Sequence, residues 1–157
     1  SMCAIEYYED SLLPLARLYN LERELDQALQ EKIWLKSGGF LVIQQTEAFV
    51  AIDVNTGKHS SKKDAEENYK QINREAALEI ARQIRLRNLS GMILIDFINM
   101  RDCEDRSDLI QYMRSLVRSD SMQTVVVDVT TLGIMEITRK KSAKTLAEQL
   151  NQLRKGE

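Results

Sequence analysis

Asp53 and Asn55 stand two residues apart at the end of the apolar run "AFVAIDVN", Ala48 to Asn55. Side chains on a strand alternate faces, so the carboxylate and the carboxamide point the same way, with Phe49 and Ala51. Val50, Ile52 and Val54 take the other face. A second carboxylate, Asp96, interrupts "MILIDFI", the most apolar stretch of the chain. Burying a lone carboxylate is costly, so Asp96 is expected at a strand end near solvent or beside a cation. Both aspartates fall near the carboxyl ends of their strands, where open α/β sheets place their ligands. On neighbouring strands the two would converge on one rim and repel unless a cation lay between them. Mg²⁺ fits that chemistry, as a hard ion taking one or two carboxylates with water and phosphate as its other ligands. The same residues also admit a structural reading, in which Asp53 opens a turn with "NTG" and Asp96 caps the loop after its strand.

The elements that would position these residues alternate in type. In "NLERELDQAL" Asn20 is expected to cap a helix whose stripe is Leu21, Leu25, Ala28 and Leu29. "KIWLKSGGFLVIQQTEAFVAIDVN" reads as an antiparallel meander broken at Ser37-Gly38-Gly39 and at Thr46-Glu47. A long helix is predicted from about Ala65 to Arg87, with Tyr69, Ile72, Ala76, Ile80 and Ile84 as its apolar stripe. It ends at "NLSG", where Asn88 and Gly91 supply turn chemistry. The run "MILIDFI" has the continuous apolarity of a strand buried on both faces. A helix over about 105–118, strands at "TVVVDVT" and "GIMEITRKK", and a helical tail from Ala143 to about Arg154 complete the pattern. Strands separated by helices give an α/β fold, a mixed β-sheet flanked by helices.

Composition bounds the class. A chain of 157 residues with 43% hydrophobic and 29% charged residues is a globular domain with a real core. No apolar run approaches the roughly 20 residues that span a bilayer, so no membrane segment is expected and the setting is read as cytoplasmic. Cys3 and Cys103 show no metal-ligand spacing, which leaves two plain thiols and no zinc site. Ser1 before Met2 reads as a cloning remnant, so the chain is expected to be a piece of a larger protein. The net charge of −2 excludes a surface coated in positive potential, yet "ARQIRLRN" and "TRKKSAK" are locally basic. Arg82 and Arg85 are expected to anchor the long helix to acidic neighbours. Arg139, Lys140, Lys141 and Lys144 leave a strand end where phosphates could pass, and a plain solvated face is the alternative.

"IWLKSGG", "TEAFVAIDVNTGK", "EAALEIARQIRLRNLSGMILIDFINM" and "LGIMEITRKK", in that order from about Leu18 to Thr145, resemble the catalytic segment of the ribonuclease E/G family. The resemblance implies a DNase I-like subdomain over 29–157, preceded over 1–28 by the mainly helical tail of an RNase H-like subdomain. It implies a Mg²⁺-dependent endoribonuclease, with Mn²⁺ as a substitute, that hydrolyses single-stranded RNA to 5′-phosphate and 3′-hydroxyl ends in a bacterium or plastid. Asp53 and Asp96 fall on the family's metal-holding aspartates, and Asn55 on the asparagine of the same catalytic site. The rival route through the ribose 2′-hydroxyl commonly uses two histidines. This chain has His59 alone, read as a loop residue, with reach to the site from the turn after the strand as the alternative.

The resemblance also marks departures. The family's OB-fold domain, the rest of its RNase H-like part and its "CPxC" zinc motif have no counterpart in these residues, though full-length members are homo-oligomers. Gln123 stands where the family often has a basic residue that helps contact the RNA 5′ end, and Asp128 is atypical, read as an exposed edge residue with a third acidic residue near the site as the alternative. The competing expectation is an RNA-binding or oligomer-forming fragment with an intact metal site and no turnover alone.

Overall fold

The computed structural model of the chain describes residues 6–57, 65–100 and 102–155. Cys3 and His59 lie outside the described residues. The chain separates into two compact units, 1–30 and 31–157. The first holds the short helix α1 (Leu15–Leu18) and the helix α2 (Leu21–Ala28). Asn20 precedes α2 as expected, but it sits in the left-handed region at φ 52° and its side chain makes no capping hydrogen bond. That corrects the capping role, since an N-cap side chain reaches the first free N–H groups from an extended backbone.

The second unit is built on six strands: β1 (Lys32–Trp34), β2 (Phe40–Gln45), β3 (Phe49–Asn55), β4 (Gly91–Asp96), β5 (Thr124–Val129) and β6 (Ile134–Arg139). Their order in the sheet is β1-β2-β3-β4-β6-β5. The first three form the expected antiparallel meander. β3 and β4 are parallel, joined through the long helix α3 (Ala65–Leu86), as a parallel pair requires a crossover. β6 closes antiparallel on β4 and β5 on β6. The helices α4 (Cys103–Val117) and α5 (Leu146–Lys155) follow β4 and β6. This is the mixed sheet flanked by helices that the sequence implies.

Alternation decides where the core lies. Leu41, Ile43, Val50, Ile52, Val54, Ile93, Ile95, Met135 and Ile137 leave one face of the sheet and are buried with Ile72, Ala76, Ile80 and Ile84 of α3 and Leu109 and Met113 of α4. The opposite face is more open. Met92 is 44% exposed and Asp96 is exposed, so β4 is buried on one face and not on two. That is a correction: the run "MILIDFI" is continuous in apolarity, but its even-numbered members Met92 and Leu94 line the other face, where Met92 is exposed and Leu94 half-buried. α3 ends where Asn88 at φ 50° and Gly91 at φ 81° turn the chain into β4, as the "NLSG" signal indicates. Arg82 pairs with Glu79 of its own helix, at 3.1 Å. Among the described residues no helix is long and apolar enough to cross a membrane.

Candidate active site

Asp53 and Asp96 are register partners on the neighbouring parallel strands β3 and β4. Paired residues on adjacent strands leave the same face, with their backbones about 4.8 Å apart. Both side chains are exposed. Asn55 Nδ2 donates to Asp53 Oδ2 at 2.8 Å, which fixes one carboxylate oxygen. The rim so formed stands at the carboxyl ends of both parallel strands, the place the strand order alone would choose for a ligand.

Three supports hold this rim. The turn between β1 and β2 is tied to α3 by Glu75, whose carboxylate accepts the backbone N–H groups of Lys36 and, at 2.9 Å, Ser37. Burial alone would raise the Glu75 carboxyl; the donors of Ser37 and Lys36 outweigh it and hold the group below its ordinary value. That turn brings Gly39 against the end of β3, so closely that a Cβ there would stand 2.8 Å from the Asn55 carbonyl oxygen.

The second support is Asn73 of α3, fully buried, whose Nδ2 donates to the Ile98 carbonyl at 2.7 Å while its Oδ1 accepts from Ile98 N at 3.0 Å. One amide thereby satisfies both backbone groups of the second residue after Asp96. Its sequence signal was a polar side chain inside the apolar helix stripe, adjacent to Ile72. Asn73→Ala is expected to destabilise the fold by about 2–3 kcal/mol, since a buried donor and acceptor lose their partners. Asn73→Asp, which can accept but not donate, should lose less at Ile98 N–H than at the carbonyl. Urea unfolding, with amide exchange at residue 98, is the measurement. Unchanged exchange would remove the residue from this role.

The third support is Asp102, which caps α4 by accepting from Glu104 N at 2.8 Å. Between the start of α4 and the β5–β6 turn lies a cavity of about 250 Å³ that borders Asp96 and is lined also by Phe97, Met100, Arg106 and Leu132.

The basic group divides. Arg139 is 5% exposed and is a correction to its phosphate-contact role. Its Nε donates to Asp120 Oδ2 at 2.7 Å, and its other nitrogens donate to Asn88 Oδ1, the Leu89 carbonyl and Asp120 Oδ1. Strand alternation explains the burial: Met135, Ile137 and Arg139 share the helix-side face. Lys140, Lys141 and Lys144 are exposed. Arg139 pairs with Gly91, whereas Asp96 pairs with Ile134. The lysines therefore follow the far rim of the sheet, about 17 Å along β4 from the aspartates at roughly 3.3 Å per residue. Glu148 stands among them, held below its usual range by hydrogen bonds from Thr145 and by the charges of Lys141 and Lys144. Asp128 is exposed on β5, opposite Glu136, and Cys103 is a free, exposed thiol.

The donor set at the near rim is two carboxylates and one amide, all oxygen donors to a cation, and no group of three or more His, Cys, Asp or Glu forms a metal cluster among the described residues. Such a set suits an ion that keeps water and substrate phosphate as its remaining ligands, which is the habit of Mg²⁺. Zinc would demand more nitrogen or sulfur donors.

Comparison with known proteins agrees with the motifs. Residues 1–142 match the model of the ribonuclease E/G family. Ribonuclease G of Escherichia coli strain K12 is 38% identical over 137 residues, covering 87% of this chain and 28% of that protein. Ribonuclease G of Haemophilus influenzae is 40% identical over the same length. Ribonuclease E of Nostoc sp. is 35% identical over 144 residues, covering 92% of this chain and 21% of that protein. The chain thus spans little more than a quarter, at most, of these curated relatives.

Proposed function

Because the chain belongs to the ribonuclease E/G family, we propose that it carries the phosphate-cleaving site of an endoribonuclease acting on single-stranded RNA. The observation that supports this reading most is the in-register meeting of Asp53 and Asp96 at two parallel strand ends, with Asn55 bonded to Asp53. Asp53 and Asp96 would hold Mg²⁺, or Mn²⁺ in its place, and the bound ion supplies positive charge at the scissile phosphate. Asn55 holds Asp53 in place and has its carbonyl oxygen left to orient a water. Hydrolysis by water leaves a 5′-phosphate and a 3′-hydroxyl. The 2′-hydroxyl route lacks its usual pair of histidines, since the chain has one.

Binding and cutting are separate demands on this chain. Lys140, Lys141 and Lys144 offer phosphate contacts at the far rim, while the net charge of −2 supplies little general attraction for RNA. Turnover by the chain alone is therefore slow, and the remainder of a full-length relative speeds it by holding the strand across the carboxylates. The bacterial and cyanobacterial sources of the relatives support a cytoplasmic setting in a bacterium.

The test is single-turnover cleavage of a 5′-labelled, unstructured RNA across a Mg²⁺ titration, with end-group analysis of the products. A 2′,3′-cyclic phosphate product, or cleavage indifferent to chelation, would sink the reading. Metal binding and RNA binding without cutting, here and in a longer form of the protein, would leave only an RNA-binding or oligomer-forming role. In the same assay, charge reversal at Lys140 and Lys141 is expected to lower RNA affinity and flatten its salt dependence at an unchanged single-turnover rate. An unchanged salt slope would return these lysines to a solvated face.

A further inference from the structure

The sheet face that carries Asp53, Asn55 and Asp96 runs on to the β1 edge, and the side chains standing there are aromatic. Trp34 is the register partner of Phe40, and Phe40 of Asn55, so all three leave one face in a single row. Lys32, on the same face two residues earlier, is opposite Val42, which in turn is opposite Asp53. Trp34 is 64% exposed. Its ring lies 5.2 Å from that of Phe40, tilted by 56°. The Lys32 ammonium stands 4.4 Å from the Trp34 ring centroid and 3.8 Å from that of Phe40.

Packing does not account for this group. The core side of β1 is served by Ile33, which packs against the buried cluster, while the indole contributes its area to solvent. An exposed ring, backed by a second ring and accompanied by a cation, is the arrangement that holds single-stranded nucleic acid: the ring takes a base face and the cation a phosphate.

We propose that Trp34 and Phe40, with Lys32, form a stacking platform for a base of the RNA strand whose phosphate lies at Asp53 and Asp96. The identity of the ligand rests on the function proposed above; the platform itself rests on the row of side chains. Trp34 stands two strands across from Asn55 and two residues along from Asp53, about 12 Å from the latter at the spacings of sheet strands and strand residues, a span that one or two unstacked nucleotides bridge. A base that stacks on the indole displaces the Lys32 ammonium from the ring and frees it for the adjoining phosphate, a charge-assisted contact. Stacking of this kind tolerates any base and requires an unpaired one, because a duplex hides its base faces. The platform thus selects single strands and sets the distance from the held base to the cut.

Trp34 is the only tryptophan in the chain, so its emission reports this platform alone. The experiment adds an unstructured oligouridylate to the chain in chelator, following Trp34 emission beside the anisotropy of the 5′-labelled RNA. The expected result is quenching with the same midpoint as binding, no quenching by a duplex of equal length, an affinity loss of about tenfold in Trp34→Ala, and most of the affinity kept in Trp34→Phe. Binding by anisotropy with unchanged emission and unchanged Trp34→Ala affinity would overturn the proposal, and so would the absence of any binding. A Trp34→Ala variant that changes the mass of the particle in light scattering, with RNA affinity intact, would assign the ring to a contact between copies of the chain and overturn it too. Because no metal and no cleavage enter the readout, quenching by a chain that cuts RNA neither alone nor in a longer form of the protein would keep the platform and remove the nuclease. Mg²⁺-dependent cutting without quenching would do the reverse.

Discussion

Asp53→Asn or Asp96→Asn, made in a full-length protein carrying this segment, is expected to slow single-turnover RNA cleavage by roughly 10³-fold or more, as for removal of a main electrostatic group from an active site. RNA affinity should stay within about twofold, since phosphate contacts are made by Lys and Arg. The geometry makes asparagine a sparing change. An amide oxygen at position 53 can still accept from Asn55 Nδ2, which now meets Asp53 Oδ2 at 2.8 Å, and both side chains are solvent-exposed at strand ends. What disappears is charge, and with one charge gone the pair no longer has the net −2 that draws a divalent cation. The check is cleavage and filter binding on the same preparations, with thermal melts as the folding control. Equal loss of binding and cleavage at an unchanged melting temperature would make these aspartates part of the substrate grip, and unchanged cleavage would remove them from the chemistry.

The placement of these residues was readable because strand alternation is local. "AFVAIDVN" carries its own face assignment, and a helix of crossover length between it and "MILIDFI" makes the two strands parallel. That they are adjacent and in register, Asp53 against Asp96, is a property of the sheet order. Nothing in either segment states it. Apolarity of "MILIDFI" misled on burial for a related reason: a strand with one covered face and a strand with two can share a composition, and only the number of helical layers separates them.

Long-range polar pairs were hidden more completely. Asn73 and Ile98, like Glu75 and the Lys36–Ser37 turn, are matched by the fold alone. Arg139 had a legible half. Alternation from Met135 and Ile137 puts it on the core side, a stronger signal than its basic neighbours Lys140 and Lys141, which belong to the segment after the strand. The missing half was its partner, Asp120, in the turn before β5.

Arg139→Ala is therefore expected to cost about 3–5 kcal/mol of folding stability, the range for breaking a buried ion pair by removing one member. Both side chains are almost wholly buried, 4% and 2% exposed. Arg139 also ties the end of α3 to β6 through Asn88 and Leu89, so its loss leaves those acceptors unmet as well. Lysine should recover only part of the loss, because one ammonium cannot reproduce the fork to both Asp120 oxygens. The pH dependence separates the ion pair from simple packing. Burial would raise the Asp120 carboxyl, but Arg139, then Thr124 and the Met122 amide, bring it down from 3.8 to about 2. A depressed carboxyl stabilises the fold fully above its unfolded value, and that stability is lost as pH falls from about 4 through about 2. In the alanine variant the carboxylate is buried without its cation, so acid relieves it. Urea midpoints for the two proteins should thus lie far apart at neutral pH and draw together below about pH 4. A gap that stays constant down to pH 2 would show that Arg139 acts there through its bulk and its neutral hydrogen bonds, with the charge of Asp120 playing no part.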